Sequence, residues 1–189
     1  MPVLPWFYRL RGYLVALPLI FAVFCFRWRI EIEYLIWPLG IGLVLMGMII
    51  RIWAQQHLHY RLKVRKYLTA TGPFSFVRNP IYIGNIIICI GATMTSELLW
   101  FVPITLLYCL WIYSMVIRYE EVHLSEKYGE SYRHYMVEVP RWVPRLEDFK
   151  NTRVKGLGLK NEYFRASIFS EIQCLLVLVP FFVKKILSP

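Results

Sequence analysis

The sequence predicts an all-α fold, a multi-pass transmembrane helical bundle of about five spans with amphipathic helices on its cytoplasmic side. Three observations carry that expectation. Hydrophobic residues make up 58% of the 189 and aromatic residues 17%, with a mean hydropathy of +0.47, which suits a chain that enters a bilayer repeatedly rather than a soluble domain. Runs without a charge occupy residues 12–26, 34–50, 80–96 and 98–117, with a shorter one at 172–183. A hydrocarbon core of roughly 30 Å takes about 20 apolar residues as helix. The basic residues are also lopsided. If the first four runs cross, two Lys or Arg before the first run, six from Arg51 to Arg78 and ten from Arg118 to Arg165 share one side, eighteen of twenty-two. The positive-inside rule puts the N-terminus and both segments in the cytoplasm. The net charge of +10 follows from this distribution, so no nucleic-acid partner is expected.

The chain reads as one integral-membrane domain over residues 1–189. Its first run is short, but Trp6, Phe7 and Tyr8 before it suit the interfacial aromatic belt, and Arg27 can snorkel outward. No small-residue cleavage site precedes Arg27, so a cleavable signal peptide is not expected. Glycines recur seven apart in the second run (Gly40, Gly47) and the third (Gly84, Gly91), and each pair marks a smooth strip for another helix. Arg51 and Gln55 continue one face of the second run into a basic stretch ending at Arg65 and Lys66. Thr71-Gly72-Pro73-Phe74 signals a turn, and Pro80 stands near the start of the third helix, where proline is tolerated.

Beyond the fourth run, residues 118–128 read as an amphipathic helix stopped by Gly129, and residues 130–137 as a second short helix ending at Pro140 and Pro144. Tyr128, Tyr132 and Tyr135 share a face that either covers a cofactor or, the favoured reading, lies on lipid headgroups. Residues 147–160 read as a cytoplasmic loop. A last helix then runs from Asn161-Glu162-Tyr163 to Val183 and is taken to cross, although Lys184 and Lys185 then fall on the wrong side for the charge rule. Glu171 lies before its apolar core, where an ionisable group is costly and faces a partner or a cavity.

No metal site is expected. Cys25, Cys89, Cys109 and Cys174 all lie in apolar runs without paired spacing and read as buried thiols. His57 and His59 are two apart, on different faces of a helix, and His123 and His134 belong to another segment.

The chemistry concentrates in Arg78-Asn79-Pro80-Ile81-Tyr82-Ile83-Gly84 and Arg118-Tyr119-Glu120-Glu121. Two crossings lie between them, so the hairpin returns Glu120 to the face that Arg78 left. Arg78 with Glu120 and Glu121 makes a mixed-charge patch that suits a zwitterionic small molecule, or else a structural ion pair locking the hairpin.

Residues 71–84 resemble the integral-membrane methyltransferases that include isoprenylcysteine carboxyl methyltransferase and the phospholipid N-methyltransferases. So do Glu120-Glu121-Val122-His123-Leu124, Lys127-Tyr128-Gly129-Glu130-Ser131-Tyr132 and Val139-Pro140-Arg141-Trp142-Val143-Pro144. The resemblance covers residues 51–144, taken as the methyltransferase-like core. It implies S-adenosylmethionine held between cytoplasmic helix ends without a Rossmann domain. The only G-x-G candidates, Gly40-Ile41-Gly42 and Gly156-Leu157-Gly158, follow no strand pattern. By resemblance, Lys66, Tyr67, Leu68 and Thr69 lie along the adenosine. Phe74, Asn79, Pro80, Ile81, Tyr82 and Glu120 complete the cofactor site, and Arg78 and Glu121 are the candidate catalytic residues.

Two departures stand out. The family's histidine is Asn79 here, which hydrogen-bonds but does not titrate near neutral pH. The arginine that prenylcysteine-specific members carry four residues before the first glutamate is Val116, so prenylcysteine is not the expected substrate. Aromatic rings at Tyr82, Tyr128 and Tyr132 suit a sulfonium through cation–π contact. An amine acceptor would give its proton to Glu120, Glu121 or Glu162. The expected partners are the bilayer and a lipophilic small-molecule or lipid acceptor entering sideways, and the expected setting is a prokaryotic cytoplasmic membrane with the site facing the cytoplasm. Two other classes stay open. One is an NADPH-dependent sterol-type reductase, whose Arg-His-Pro-Asn-Tyr-x-Gly element is similar but differs at Ile81 and Asn85. The other is a non-catalytic lipid-binding protein.

Overall fold

The computed structural model describes residues 5–25, 33–64 and 68–144 and, toward the C-terminus, residues 165, 167–169, 171–172 and 175–187. The fold is all-α. The named helices are α1 (Pro5–Phe24), α2 (Glu33–Val64), α3 (Pro80–Thr95), α4 (Val102–Tyr128), α5 (Glu130–Glu138) and α6 (Val179–Leu187). Short 3-10 turns at Gly72–Ser75, Leu99–Phe101 and Leu176–Leu178 precede α3, α4 and α6.

Three helices are long and apolar enough to cross a membrane, over Trp6–Phe24, Glu33–Leu58 and Leu99–Tyr128, and α3, with 16 residues, is shorter. Their outer faces carry Leu39, Ile49, Leu107 and Trp111 in the open, the side a bilayer covers. The inner faces bury Val44, Cys89, Ala92, Cys109, Ile112 and Val116 as one core. The chain is an integral membrane protein by this character.

α2 and α3 pack backbone against backbone, and the spaced glycines are the reason. A methyl group on Gly40 would lie 2.8 Å from the Gly91 carbonyl oxygen, and one on Gly47 would lie 2.6 Å from that of Gly84. The two glycine strips therefore face each other, which lets dispersion contacts act at the closest approach two helices allow. Beyond the fourth run the structure departs from expectation. No separate amphipathic helix begins at Arg118, because nothing between Ile117 and Tyr128 breaks the helix and α4 continues through. Gly129, at φ +55°, ends it.

The C-terminal segment runs the length of the bundle. At one end Glu171, with no solvent exposure, accepts from Arg51 Nε at 2.8 Å, Arg51 Nη2 at 2.9 Å and Gln55 Nε2 at 2.7 Å. Arg51 also donates to Asn85 Oδ1. At the other end Lys184 Nζ donates to the carbonyls of Ala22 at 2.8 Å and Cys25 at 2.7 Å, where α1 finishes with unmet acceptors. Lys185 pairs with Glu33 at 2.8 Å and lies 4.6 Å from the Trp37 ring centre. Both lysines thus have local partners at the end of the bundle where α1 finishes. Gln173 and Glu162 lie outside the described residues.

Candidate functional site at the helix ends

The site is assembled from the turn before α3, the last turns of α4 and the segment after α5. Gly72 opens the turn at φ +63°, and a methyl group there would lie 2.4 Å from the His57 ring, so both its conformation and its packing call for glycine. The Phe76 ring lies 6.2 Å from Trp53, itself 6.3 Å from His57, which seats the turn on α2.

Three hydrogen bonds join residues 74–79 to α5 and to the segment after it. Tyr135 donates its hydroxyl to the Phe74 carbonyl at 2.7 Å, the Arg78 amide donates to Pro140 O at 2.9 Å, and Asn79 Nδ2 donates to Arg141 O at 3.3 Å. The asparagine in place of histidine therefore serves as a backbone-tethering donor. Glu121 lies between two guanidinium groups. Arg78 Nη1 lies 3.0 Å from its Oε1, and Arg141 binds both oxygens, with Nε at 3.1 Å from Oε1. Arg78 and Glu121 are each only 12% exposed, so this ion pair is largely withdrawn from water. Arg78 Nε is buried and has no hydrogen-bond partner among the described residues.

Glu120 points elsewhere, about 100° around α4 from its neighbour. Its Oε1 accepts from the Tyr82 hydroxyl at 2.7 Å, and the Tyr82 ring packs 4.8 Å from Tyr113. The Tyr8 ring of α1 reaches the same turn of α4, 5.2 Å from the Tyr119 ring next to Glu120.

The tyrosine face of α5 turns inward rather than onto headgroups. Tyr132 and Tyr135 are 3% and 6% exposed and pack with Val139, Leu68, Leu124, Tyr128 and Met136. The bend at Gly129 folds this face under the turn, which corrects the lipid-headgroup reading. Burial, and then the negative charge of Glu121, push the Tyr132 phenol up to about 12, and burial raises Tyr135 as well. Both phenols therefore stay neutral donors across the physiological range. An open groove of about 530 Å³ runs between α4 and α5, lined by Arg118, Glu121, Val122, Ser125, Arg133 and Met136.

The structure thus brings Arg78 onto Glu121 and Tyr82 onto Glu120, and it ties Phe74 and Asn79 to residues 135–141. Thr69 and Pro80 are buried and Ile81 partly so, while Leu68 packs on the tyrosine cluster. Lys66 and Tyr67 lie outside the described residues. Sequence reasoning gave no role to Arg141, read Tyr8 only as an interfacial aromatic, and set Tyr135 on the shared tyrosine face without its bond to the turn. Arg141 stood within the family-like Pro-Arg-Trp element, and an isolated charge there was the available signal.

Two curated relatives cover much of the chain. The nickel-cobalt-cadmium resistance protein NccN of Alcaligenes xylosoxydans xylosoxydans is 30% identical over 113 residues, 60% of this chain and 50% of the relative. The cobalt-zinc-cadmium resistance protein CzcN of Cupriavidus metallidurans is 28% identical over 112 residues, 59% of this chain and 49% of the relative. The chain spans about half the length of these curated relatives. No solved structure matches it. Residues 35–131, just over half the chain, match the family described as phospholipid methyltransferase, and the chain belongs to that family.

Proposed function

We propose that this protein transfers a methyl group from S-adenosylmethionine to a lipophilic acceptor at the cytoplasmic membrane boundary. The observation that carries the reading is a cluster at one end of a bundle of the phospholipid methyltransferase family: two adjacent glutamates with different partners, beside a buried arginine nitrogen that has an unused donor. That donor set fits the cofactor. Arg78 Nε suits its carboxylate, and Glu120, which has lone pairs beyond the one taken by Tyr82, suits its ammonium or hydroxyl groups. Lys66, Tyr67, Leu68, Thr69 and Phe74 are assigned to the adenosine side, and Asn79, Pro80, Ile81 and Tyr82 to the wall at the start of α3.

The cofactor supplies an electrophilic methyl group on a sulfonium sulfur. The protein's part is to align the acceptor with it and to exclude water. The Tyr82 face, backed by Tyr113, offers a π surface to positive charge. Glu121, held by Arg78 and Arg141, keeps Arg78 in place. With the oxygens of Glu121 so engaged, Glu120 is the member of the pair free to receive a proton from an amine acceptor. Val116, at the position that resemblance gives to a prenylcysteine-binding arginine, has no exposure, which supports an acceptor other than prenylcysteine.

Binding of labelled S-adenosylmethionine and of NADPH to the detergent-solubilised protein tests the reading. Saturable binding of the first and none of the second is expected, and the reverse defeats the proposal in favour of a reductase. Topology is tested separately. A single cysteine replacing Arg133, which is exposed on α5, in a background without the native cysteines, should react with an impermeant reagent only after the membrane is opened. Reaction in intact cells would put the site on the opposite face.

A further inference from the structure

α1 lies outside residues 35–131, yet its first turns reach the acid pair. The Tyr8 ring lies 5.2 Å from Tyr119, the neighbour of Glu120, whose carboxylate holds Tyr82 at 2.7 Å. The Arg11 guanidinium rests on the Tyr8 ring, 4.1 Å from its centre, and Nη1 donates to the Tyr8 carbonyl at 2.8 Å. Stacking and one hydrogen bond fix the plane of the guanidinium, and among the described residues its other nitrogens make no hydrogen bond.

A fixed planar fork is suited to two oxygens of a carboxylate or phosphate, and it loses little conformational freedom on binding them. Its position agrees with such a ligand. Arg11 stands in the second turn of a helix long and apolar enough to cross a membrane, just before its charge-free run, on the inward face of α1 that continues as Val15 and Ala22, so a ligand held there lies on the bundle side rather than on the outer face of Tyr13, Leu17 and Ile20. In α4 the position that resemblance would give to an acceptor-binding arginine is the buried Val116.

We propose that Arg11, oriented on Tyr8, recognises an anionic group, carboxylate or phosphate, on the lipophilic acceptor, so that α1 sets substrate class beside Glu120. The inference rests on the methyl-transfer reading for the acceptor's fate, whereas the charge preference is a property of binding alone.

The test uses the full chain in a non-ionic detergent and four twelve-carbon probes: laurate, dodecyl phosphate, dodecanol and dodecyltrimethylammonium. Binding is followed by intrinsic tryptophan fluorescence. The wild-type protein should bind laurate or dodecyl phosphate more tightly than dodecanol, and the tighter of the two identifies the group. Arg11→Gln should weaken the preferred anion about tenfold and leave dodecanol unchanged. Arg9→Gln, which alters an exposed arginine of the same turn, should leave both unchanged. Wild-type preference for dodecanol or the ammonium probe overturns the proposal without recourse to any variant. So does an equal loss in Arg9→Gln, which marks general surface charge, or full anion affinity in a folded Arg11→Gln. Labelled S-adenosylmethionine is measured on the same wild-type sample. Its failure to bind defeats the methyl-transfer reading and leaves an anion preference standing, whereas cofactor binding without anion preference defeats this inference alone.

Discussion

Glu120→Gln should weaken S-adenosylmethionine binding by about tenfold to a hundredfold while the bundle stays folded. The substitution keeps the shape of the side chain and leaves a carbonyl oxygen that can still accept from the Tyr82 hydroxyl, now at 2.7 Å from the carboxylate. What disappears is the charge. Hydrogen bonds to charged groups contribute roughly 1.5–3 kcal/mol, and each 1.4 kcal/mol is a factor of about ten in affinity. Equilibrium binding of the labelled cofactor, together with a thermal unfolding curve, checks both halves of the expectation. Unchanged affinity with a lower midpoint would assign Glu120 to the packing of α3 on α4 and remove it from the cofactor site. Glu121→Gln offers the contrast. It strips two guanidinium groups of their shared partner, so its main effect should fall on stability.

The largest stability effect is expected from Glu171→Ala. This carboxylate has no exposure and holds two Arg51 nitrogens and the Gln55 amide. Removing one member of a buried ion pair leaves the other charge uncompensated, at a cost of about 3–5 kcal/mol. The C-terminal segment should therefore loosen from α2, which a lowered unfolding midpoint and faster proteolysis around residues 165–187 would register. The double variant Arg51→Met with Glu171→Leu should recover most of the loss, because apolar side chains of similar volume suit this setting. A loss under about 1 kcal/mol in Glu171→Ala would mean that the pair behaves as a solvated surface bridge, contrary to its burial.

Where periodicity and covalent connectivity decide the outcome, the sequence was readable. The first four charge-free runs became helices, the hairpin between Arg78 and Glu121 closed, and the spaced glycines found one another. What depends on the third dimension was not. Nothing in the spacing said that Arg141 would take the other side of Glu121, since the path from Tyr128 to Arg141 hinges on a single bend at Gly129. The same bend decides whether Tyr132 and Tyr135 face lipid or protein. Tyr8 read as an interfacial aromatic because its neighbours Trp6 and Phe7 suit that belt, and only the packing of α1 on α4 brings it to Tyr119, next to Glu120. For Glu171 the cost of burial was legible, but its partner was not, because Arg51 lies 120 positions away.

The facing glycines of α2 and α3 also act as a gauge. Gly40 meets Gly91 and Gly47 meets Gly84, so both contacts belong to one antiparallel alignment. A slide of one helix past the other by seven residues would keep a single pair and displace α3 by about 10 Å. Smaller slides would drive side chains into backbone carbonyls on both strips. Only one setting satisfies both marks, and in that setting Asn85 of α3 comes level with Arg51 of α2. Four residues without side chains thus meter how far α3 stands along α2, much as two notches on a sliding rule fix every other graduation.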